Sequence, residues 1–319
     1  MPNTTLLDLI TLQRNDVLTG LVEDVTTLAP EFDVLAIETR SGTFYEIVRR
    51  VGLPNASFRN LNAGVTPSKS TYKKEVKEMF FLDSPINMDE AVEDADDKST
   101  GDAWMHEANG AMRAALIVIG AQFYYGTSAD AAGFQGLRAQ CAGSIGAGGT
   151  TNSTSAYLIW KDPKWGCRFD IGRNGSISMK PPMRQQIADP ASSSKSFFAW
   201  VSNLSLFIGL NVISDKSVWA VTGITTHQTS NVYDQNLTDS IAAKLISNIP
   251  VARRSNLHWM INRTSAFLLQ ASRSTVNIAG GYSFQAAGAG GLPAWSPKPD
   301  MLEGYPITLT DSIVNTESN

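Results

Sequence analysis

The sequence predicts an α+β fold whose elements follow one another as arm, ribbon, long helix, mixed sheet, compact α/β insert and returning strand. Three observations carry this. A polar two-stranded ribbon with a long tip is written into residues 42–82. One uninterrupted helical stretch runs over residues 99–126. The chain closes on a strand signal, EGYPITLTDSI at 303–313, with alternating Ile-Thr-Leu-Thr. That last strand has no following element to pair with, so its partner must lie much earlier in the sequence.

Composition narrows the functional classes. The chain has 319 residues, 43% of them hydrophobic and 18% charged, with a net charge of -4. A sizeable core follows, in one large domain or two ordinary ones. Gripping nucleic acid by counterion release needs clustered Lys and Arg, and no such cluster stands out. Cys141 and Cys167 are far apart and fit neither a disulfide framework nor a zinc pattern, so they read as free thiols of a reducing compartment. The N-terminus, MPNTTLLDLITLQRND, lacks the basic and apolar regions of a secretory signal. The triplets at Asn55, Asn203 and Asn262 are then coincidental. The apolar run AALIVIGA from Ala114 is too short for a bilayer, which takes about 20 residues.

Residues 4–30 read as one or two short amphipathic helices. Leu18, Leu21, Val22 and Val25 recur at helical spacing, and Pro30 stops the pattern. So short a segment has too little apolar surface to fold alone and reads as an arm that docks on something else. GTFYEIVRRVG and TYKKEVKEMFFL are strand-like, and LPNASFRNLNAGVTPSKS between them is a long turn region. The ribbon's charges include Arg49, Arg50, Arg59, Lys69, Lys73, Lys74, Glu75, Lys77 and Glu78. A lone two-stranded hairpin is marginal in water. Such a ribbon either folds over its own domain or protrudes and is stabilised by a neighbouring subunit.

The acidic run DEAVEDADD at 89–97 lacks the ligand alternation and central Gly of a calcium loop. It reads as negative charge leading into a helix N-terminus. That helix has Ser99 as its cap and Gly126 as its stop. Trp104, Ala108, Ala111, Ala115, Val118 and Gln122 form one stripe, with Met112 and Ile119 beside it. Its many small residues let it lie flat on a sheet over roughly 40 Å. GFQGLRAQCAGSIGAGGTTNSTS is then a connector, and its GAGG lacks the Lys-Ser/Thr of a phosphate loop. Strands follow at SAYLIW, CRFDIG and SISMK, the last two joined by an Arg173-Asn174-Gly175 hairpin signal. Further strands are read in 195–214 and 217–226. A helix capped by Thr238 spans 237–249, LHWMI is a buried strand, and NRTSAFLLQASRS is a short helix.

No catalytic constellation emerges. GxSxG, HExxH, CxxC and a dinucleotide fingerprint are all missing. His106, His227 and His258 are too scattered to argue as metal ligands, and His258 in LHWMI reads as a satisfied core histidine. The expectation is a chain that is not an enzyme, with no cofactor and no metal.

The order of elements resembles the major capsid proteins of tailed double-stranded DNA phages, whose shared fold is named for phage Hong Kong 97. The resemblance covers essentially the whole chain. It rests on PEFDVLAIETRSGTFYEIVRRVGLPNASFRNLNAG, similar to arm passing into extended loop, and on WMHEANGAMRAALIVIGAQFYYG with GFQGL, similar to the spine helix and its exit. WMINRTSAFLL is similar to the axial-domain strand and helix, and EGYPITLTDSI to the terminal strand returning to the peripheral domain. The resemblance implies an N-terminal arm at 1–36, an extended loop at 37–82 and a peripheral domain at 83–209 carrying the spine helix. It further implies an axial domain at 210–299 and a returning strand at 300–319. It implies self-assembly into hexamers and pentamers of an icosahedral head, with the extended loop lying over an adjacent subunit. Arg49, Arg50, Phe58, Arg59, Lys73, Lys74 and Lys77 are the expected inter-subunit contacts. A separate scaffolding protein, a portal and decoration proteins are the expected partners, and double-stranded DNA is enclosed without sequence-specific binding. The implied place is the virion, and the host cytoplasm during assembly. No motif carries the family's loop-lysine crosslink to any of these lysines. A nanocompartment shell of the encapsulin type and an enzyme with an unfamiliar site are the alternative readings.

Overall fold

The computed structural model describes residues 29–94, 102–149, 152–172, 178–189, 192–225, 236–279 and 298–317. The predicted arm up to Leu28 and the Ser99 cap lie outside these residues. A short helix, Glu31–Val34, leads into β1 (Ala36–Arg40), then β2 (Phe44–Gly52), β3 (Thr71–Glu78) and β4 (Phe80–Asp89). The helix Glu90–Asp94 follows, and then the long helix, Asp102–Tyr125. After it come β5 (Gly143–Gly146), β6 (Ser153–Trp160), β7 (Cys167–Gly172), β8 (Ser178–Met179), β9 (Met183–Asp189), β10 (Ser192–Val212) and β11 (Val218–Thr225). Helix Asp239–Ser247, β12 (Leu257–Ile261), helix Arg263–Ala279, β13 (Met301–Leu302) and β14 (Tyr305–Leu309) complete the order.

Two sheets and the ribbon organise these strands. One sheet runs β1-β7-β10-β4, with β8 and β9 also on β10, and the other runs β13-β14-β12-β6-β11-β5. β2 and β3 pair only with each other. The sheets are joined through β6, which is buried along its whole length. Successive strand residues point to opposite faces. Tyr157 and Ile159 therefore face a core shared with the long helix's Ile119 and Phe123 and with Phe169, Ile208 and Leu210 of the first sheet. Ala156, Leu158 and Trp160 face a second core, closed by Leu245 and Leu269 of the two later helices. In β12 Met260 and Trp259 divide between the same two cores. A one-residue slip of β6 would exchange both sets at once.

Three sequence expectations are corrected. The Arg173-Asn174-Gly175 hairpin joining β7 to β8 is not the pairing found; that turn itself lies outside the described residues. β7, β8 and β9 each run antiparallel to β10, along the edge away from β4. A strand of 21 residues offers an edge long enough for all three in line. The run TYKKEVKEMFFL is not one strand. It changes partner at Met79, whose backbone N–H donates to the Thr43 carbonyl at 2.8 Å, and passes from the ribbon to β10. The presumed connector contains β5, parallel to β11.

The last strand, expected to return to the peripheral sheet, lies parallel to β12, with Trp259 opposite Ile307. Residues beyond it cross to the first core: Ile313 is buried there, and Glu317 exchanges backbone hydrogen bonds with Ser153. The long helix ends at Gly126, whose φ of +58° suits Gly at a helix stop. Gln122 is more than a member of the stripe. Its amide donates to the Phe134 carbonyl at 2.7 Å and to that of Asp130 at 3.2 Å, fastening the helix exit.

Thr238 caps its helix as predicted, accepting from the Ile241 N–H at 3.3 Å. Thr238→Ala should cost about 1 kcal/mol, readable as a lower urea midpoint with unchanged slope. Glu31 is buried, and its carboxylate accepts from the Thr310 hydroxyl at 2.6 Å. Burial lifts its pKa above the ordinary 4.5, against the smaller opposing pull of the Thr310, Tyr124 and Ser312 hydroxyls. A pKa raised by folding gives stability that is complete below the unfolded value and fades as pH climbs through the folded one. Melting of the subunit should therefore fall with pH from about 4.5 upward. Glu31→Gln should flatten that slope; identical pH profiles for the two chains would contradict the assignment.

Candidate inter-subunit surface

The ribbon has two faces because β2 and β3 pair in antiparallel register, Val48 opposite Lys74 and Ile47 opposite Glu75. Tyr45, Ile47, Arg49, Glu75 and Lys77 are half-buried and face the chain's own body. Phe44, Glu46, Val48, Arg50, Tyr72, Lys74, Val76 and Glu78 are exposed on the other side.

The inward face is held by charge. Arg49 and Lys73 stand directly opposite each other, a like-charge pair that would be unfavourable alone. Glu75 resolves it, pairing with Arg49 and, at 2.8 Å, with Lys73. The Lys73 ammonium, with Arg49, holds the Glu75 carboxyl below its ordinary range. Arg49 also reaches Asp215, in the turn between β10 and β11. Lys77 donates to the Gln140 side chain at 3.1 Å and lies 3.8 Å from Glu75; burial lowers its pKa. These contacts fasten the ribbon's stem to its own body.

Below the stem sits a buried ion network. Asp170 is fully buried; Arg168 approaches it at 3.1 Å, Arg40 at 3.7 Å, and the Asn211 amide donates to it at 2.8 Å. Glu38 pairs with Arg168 and, at 3.1 Å, with Arg40. The Arg40 guanidinium lies 5.3 Å from the Tyr45 ring, and burial holds the Tyr45 phenol well above its ordinary value. These charges pair within and across β1 and β7, just before the chain turns into β2, and so anchor the root of the ribbon.

Among the described residues, the contacts of the outward face and tip are local. Lys74 meets Glu46 at 2.6 Å, and Arg50 donates to the Tyr72 hydroxyl at 3.4 Å. At the tip, Asn62 takes a φ of +67° in a turn where Ala63 N–H donates to the Asn60 carbonyl and Arg59 donates to the Ala63 carbonyl, both at 3.1 Å. Phe58 is 108% exposed and Leu61 97%. Large apolar side chains held this far into water mark an interaction surface.

The seven predicted contact residues therefore separate. Arg49, Lys73 and Lys77 gather round Glu75; Arg50 and Lys74 lie on the outward face; Phe58 and Arg59 are at the tip. Sequence reading missed Asp215, Gln140 and the Asp170 network, which are too distant in the chain for spacing to reveal. It also passed over Phe44, Val48, Tyr72 and Val76, whose alternation with charged residues was the available signal. His258 is half-buried, its ring 2.7 Å from the Thr308 hydroxyl, and burial lowers its pKa to about 4. Among the described residues there is no cluster of metal-ligating side chains, and no helix is long and apolar enough to cross a membrane.

Comparison with known proteins fits this geometry. The fold is similar over 100% of this chain and 97% of the other to a chain of bacteriophage Epsilon15, with a TM-score of 0.67 at 16% identity. Similarity to the bacteriophage JBD30 capsid covers 93% of this chain and 96% of that one, with a TM-score of 0.50 at 10% identity. An encapsulin complex from Synechococcus elongatus is similar over 67% of this chain and 96% of its own, at a TM-score of 0.42 and 7% identity. No curated protein matches the sequence. The family model described as Major capsid protein GP7 matches residues 23–319, nearly the whole chain, and the chain belongs to that family.

Proposed function

We propose that this major capsid protein builds the icosahedral head of a tailed double-stranded DNA bacteriophage from hexamers and pentamers of identical copies. The observation that carries the reading is the ribbon, a two-stranded element whose outward face and tip have no second layer among the described residues. In the assembly the ribbon lies on an adjacent copy. Arg50, Phe58, Arg59 and Lys74 make the contact, and Arg49, Lys73 and Lys77 hold the stem at the angle that reaches it. Obligate interfaces of this kind bury upwards of ~2,000 Å². An acidic subunit suits a container that must hold DNA and let it go.

The role is structural rather than catalytic. The expected partners are further copies of the chain, a separate scaffolding protein, a portal and decoration proteins. The expected location is the virion, with passage through the host cytoplasm during assembly. Electron microscopy of the purified protein tests this: closed shells or capsomers are expected, and a stable monomer at high concentration would overturn it.

A further inference from the structure

Lysines and arginines do not cluster along the sequence, yet the fold gathers five of them at one corner of the second sheet. β6 ends at Trp160, beside the starts of β11 and β12: Ile159 lies opposite Val218, and Trp160 opposite Leu257. The three turns at this end, residues 161–166, 213–217 and 250–256, are tied to one another. The Lys161 N–H donates to the Asn256 carbonyl at 2.9 Å, and the Ser217 hydroxyl to the Trp165 carbonyl at 3.4 Å. Arg253 donates to the Ser214 hydroxyl and lies 4.8 Å from the Trp160 ring.

The turns bring Lys161, Lys164, Lys216, Arg253 and Arg254 together, the three lysines exposed and the arginines half-buried. Arg254 donates only to carbonyls, those of Ile249 at 3.0 Å and Ser247 at 3.3 Å, which leave its charge unneutralised. The two nearby carboxylates are engaged. Asp162 accepts from the Lys164 and Trp165 N–H groups at 2.8 and 2.7 Å, and Asp215 pairs with Arg49. Among the described residues no ion pair joins any of the five cations to a carboxylate. Beside them the Trp165 ring is 56% exposed, with the Lys164 ammonium 5.4 Å from it. Unneutralised cations around an exposed aromatic ring suit a phosphate backbone. Another copy's ribbon tip does not suit it: residues 53–70 carry Arg59 and Lys69 and no carboxylate.

We infer that this corner binds the phosphodiester backbone of double-stranded DNA without reading its sequence, and is where the subunit touches the genome it encloses. Phosphate contacts position a duplex but carry no sequence information. That the DNA is the packaged genome rests on the container reading above; the binding itself does not.

The test titrates fluorophore-labelled duplex DNA of random sequence with the full-length unassembled subunit, followed by anisotropy over about 50–200 mM salt. Five phosphate contacts predict a slope of log affinity against log salt of about -4.5. The variant Lys161→Gln, Lys164→Gln, Lys216→Gln should bind about tenfold or more weakly at the low-salt end, with a slope of about -2. Equal affinity and slope for the two chains would overturn the inference. So would polyglutamate displacing the duplex at equal charge concentration, which would make an acidic protein the occupant. A second measurement needs no variant: duplex DNA should slow acetylation of Lys161, Lys164 and Lys216 together while leaving the exposed Lys195 unchanged. Rates indifferent to DNA at all four would count equally against it. Shells that close normally from subunits without this binding would sink the inference alone, whereas a lasting monomer that binds duplex would sink the container reading alone.

Discussion

Replacing Phe58 and Leu61 together by Asp should leave a folded, soluble subunit that no longer closes into shells. Both side chains project fully into water, and the tip's contacts are local turns, so the isolated subunit loses nothing by the change. Exposed substitutions away from special backbone positions usually shift stability by no more than about 0.5 kcal/mol. An apolar anchor at the centre of an interface is different, since truncation there commonly costs about 2 kcal/mol or more. Asp adds the desolvation of a charge to that loss. The contact recurs in every copy of a shell, so a modest penalty at one tip becomes prohibitive for the whole. Circular dichroism and urea unfolding should match the parent chain while sedimentation and electron microscopy show free subunits. Normal shells from this double variant would remove the tip from the interface.

The second large effect concerns the ribbon's root. Asp170→Ala should cost the subunit about 3–5 kcal/mol, the usual consequence of removing one partner from a buried ion pair. Asp170 is fully buried, and Arg168 beside it is nearly so. Deleting the carboxylate leaves the Arg168 guanidinium with Glu38 and the Pro163 carbonyl, and strips Asn211 of its acceptor. A subunit of ordinary stability, about 5–15 kcal/mol, would lose a large part of it. The urea midpoint reports this directly. A shift corresponding to less than about 1 kcal/mol would mean that the network is relaxed and does not fix the ribbon.

Much of this architecture was legible in the residues. Strand-like patterning marked β2, β3 and β10, the apolar run LHWMI marked β12 as a buried strand, helical spacing and Gly126 marked the long helix, and Thr238 marked a cap. What escaped was pairing. Nothing local in CRFDIG–RNG–SISMK distinguishes a hairpin from two strands that each pair with β10, because the deciding partner lies in residues 192–212. The break at Met79 escaped for the same reason: β3 and β4 differ in partner, not in pattern. The candidate surface was half legible. Its lysines and arginines stood out by type. Their division into stem fastenings and free contacts depends on Glu75, Asp215 and Gln140, which only the folded chain brings near.

Amide hydrogen exchange across residues 44–78, compared between free and assembled protein, tests the central claim most directly. The ribbon's outer strand faces and tip should exchange quickly in the free subunit and become strongly protected in the shell. Equal, fast exchange in both states would show that no neighbouring copy covers the ribbon.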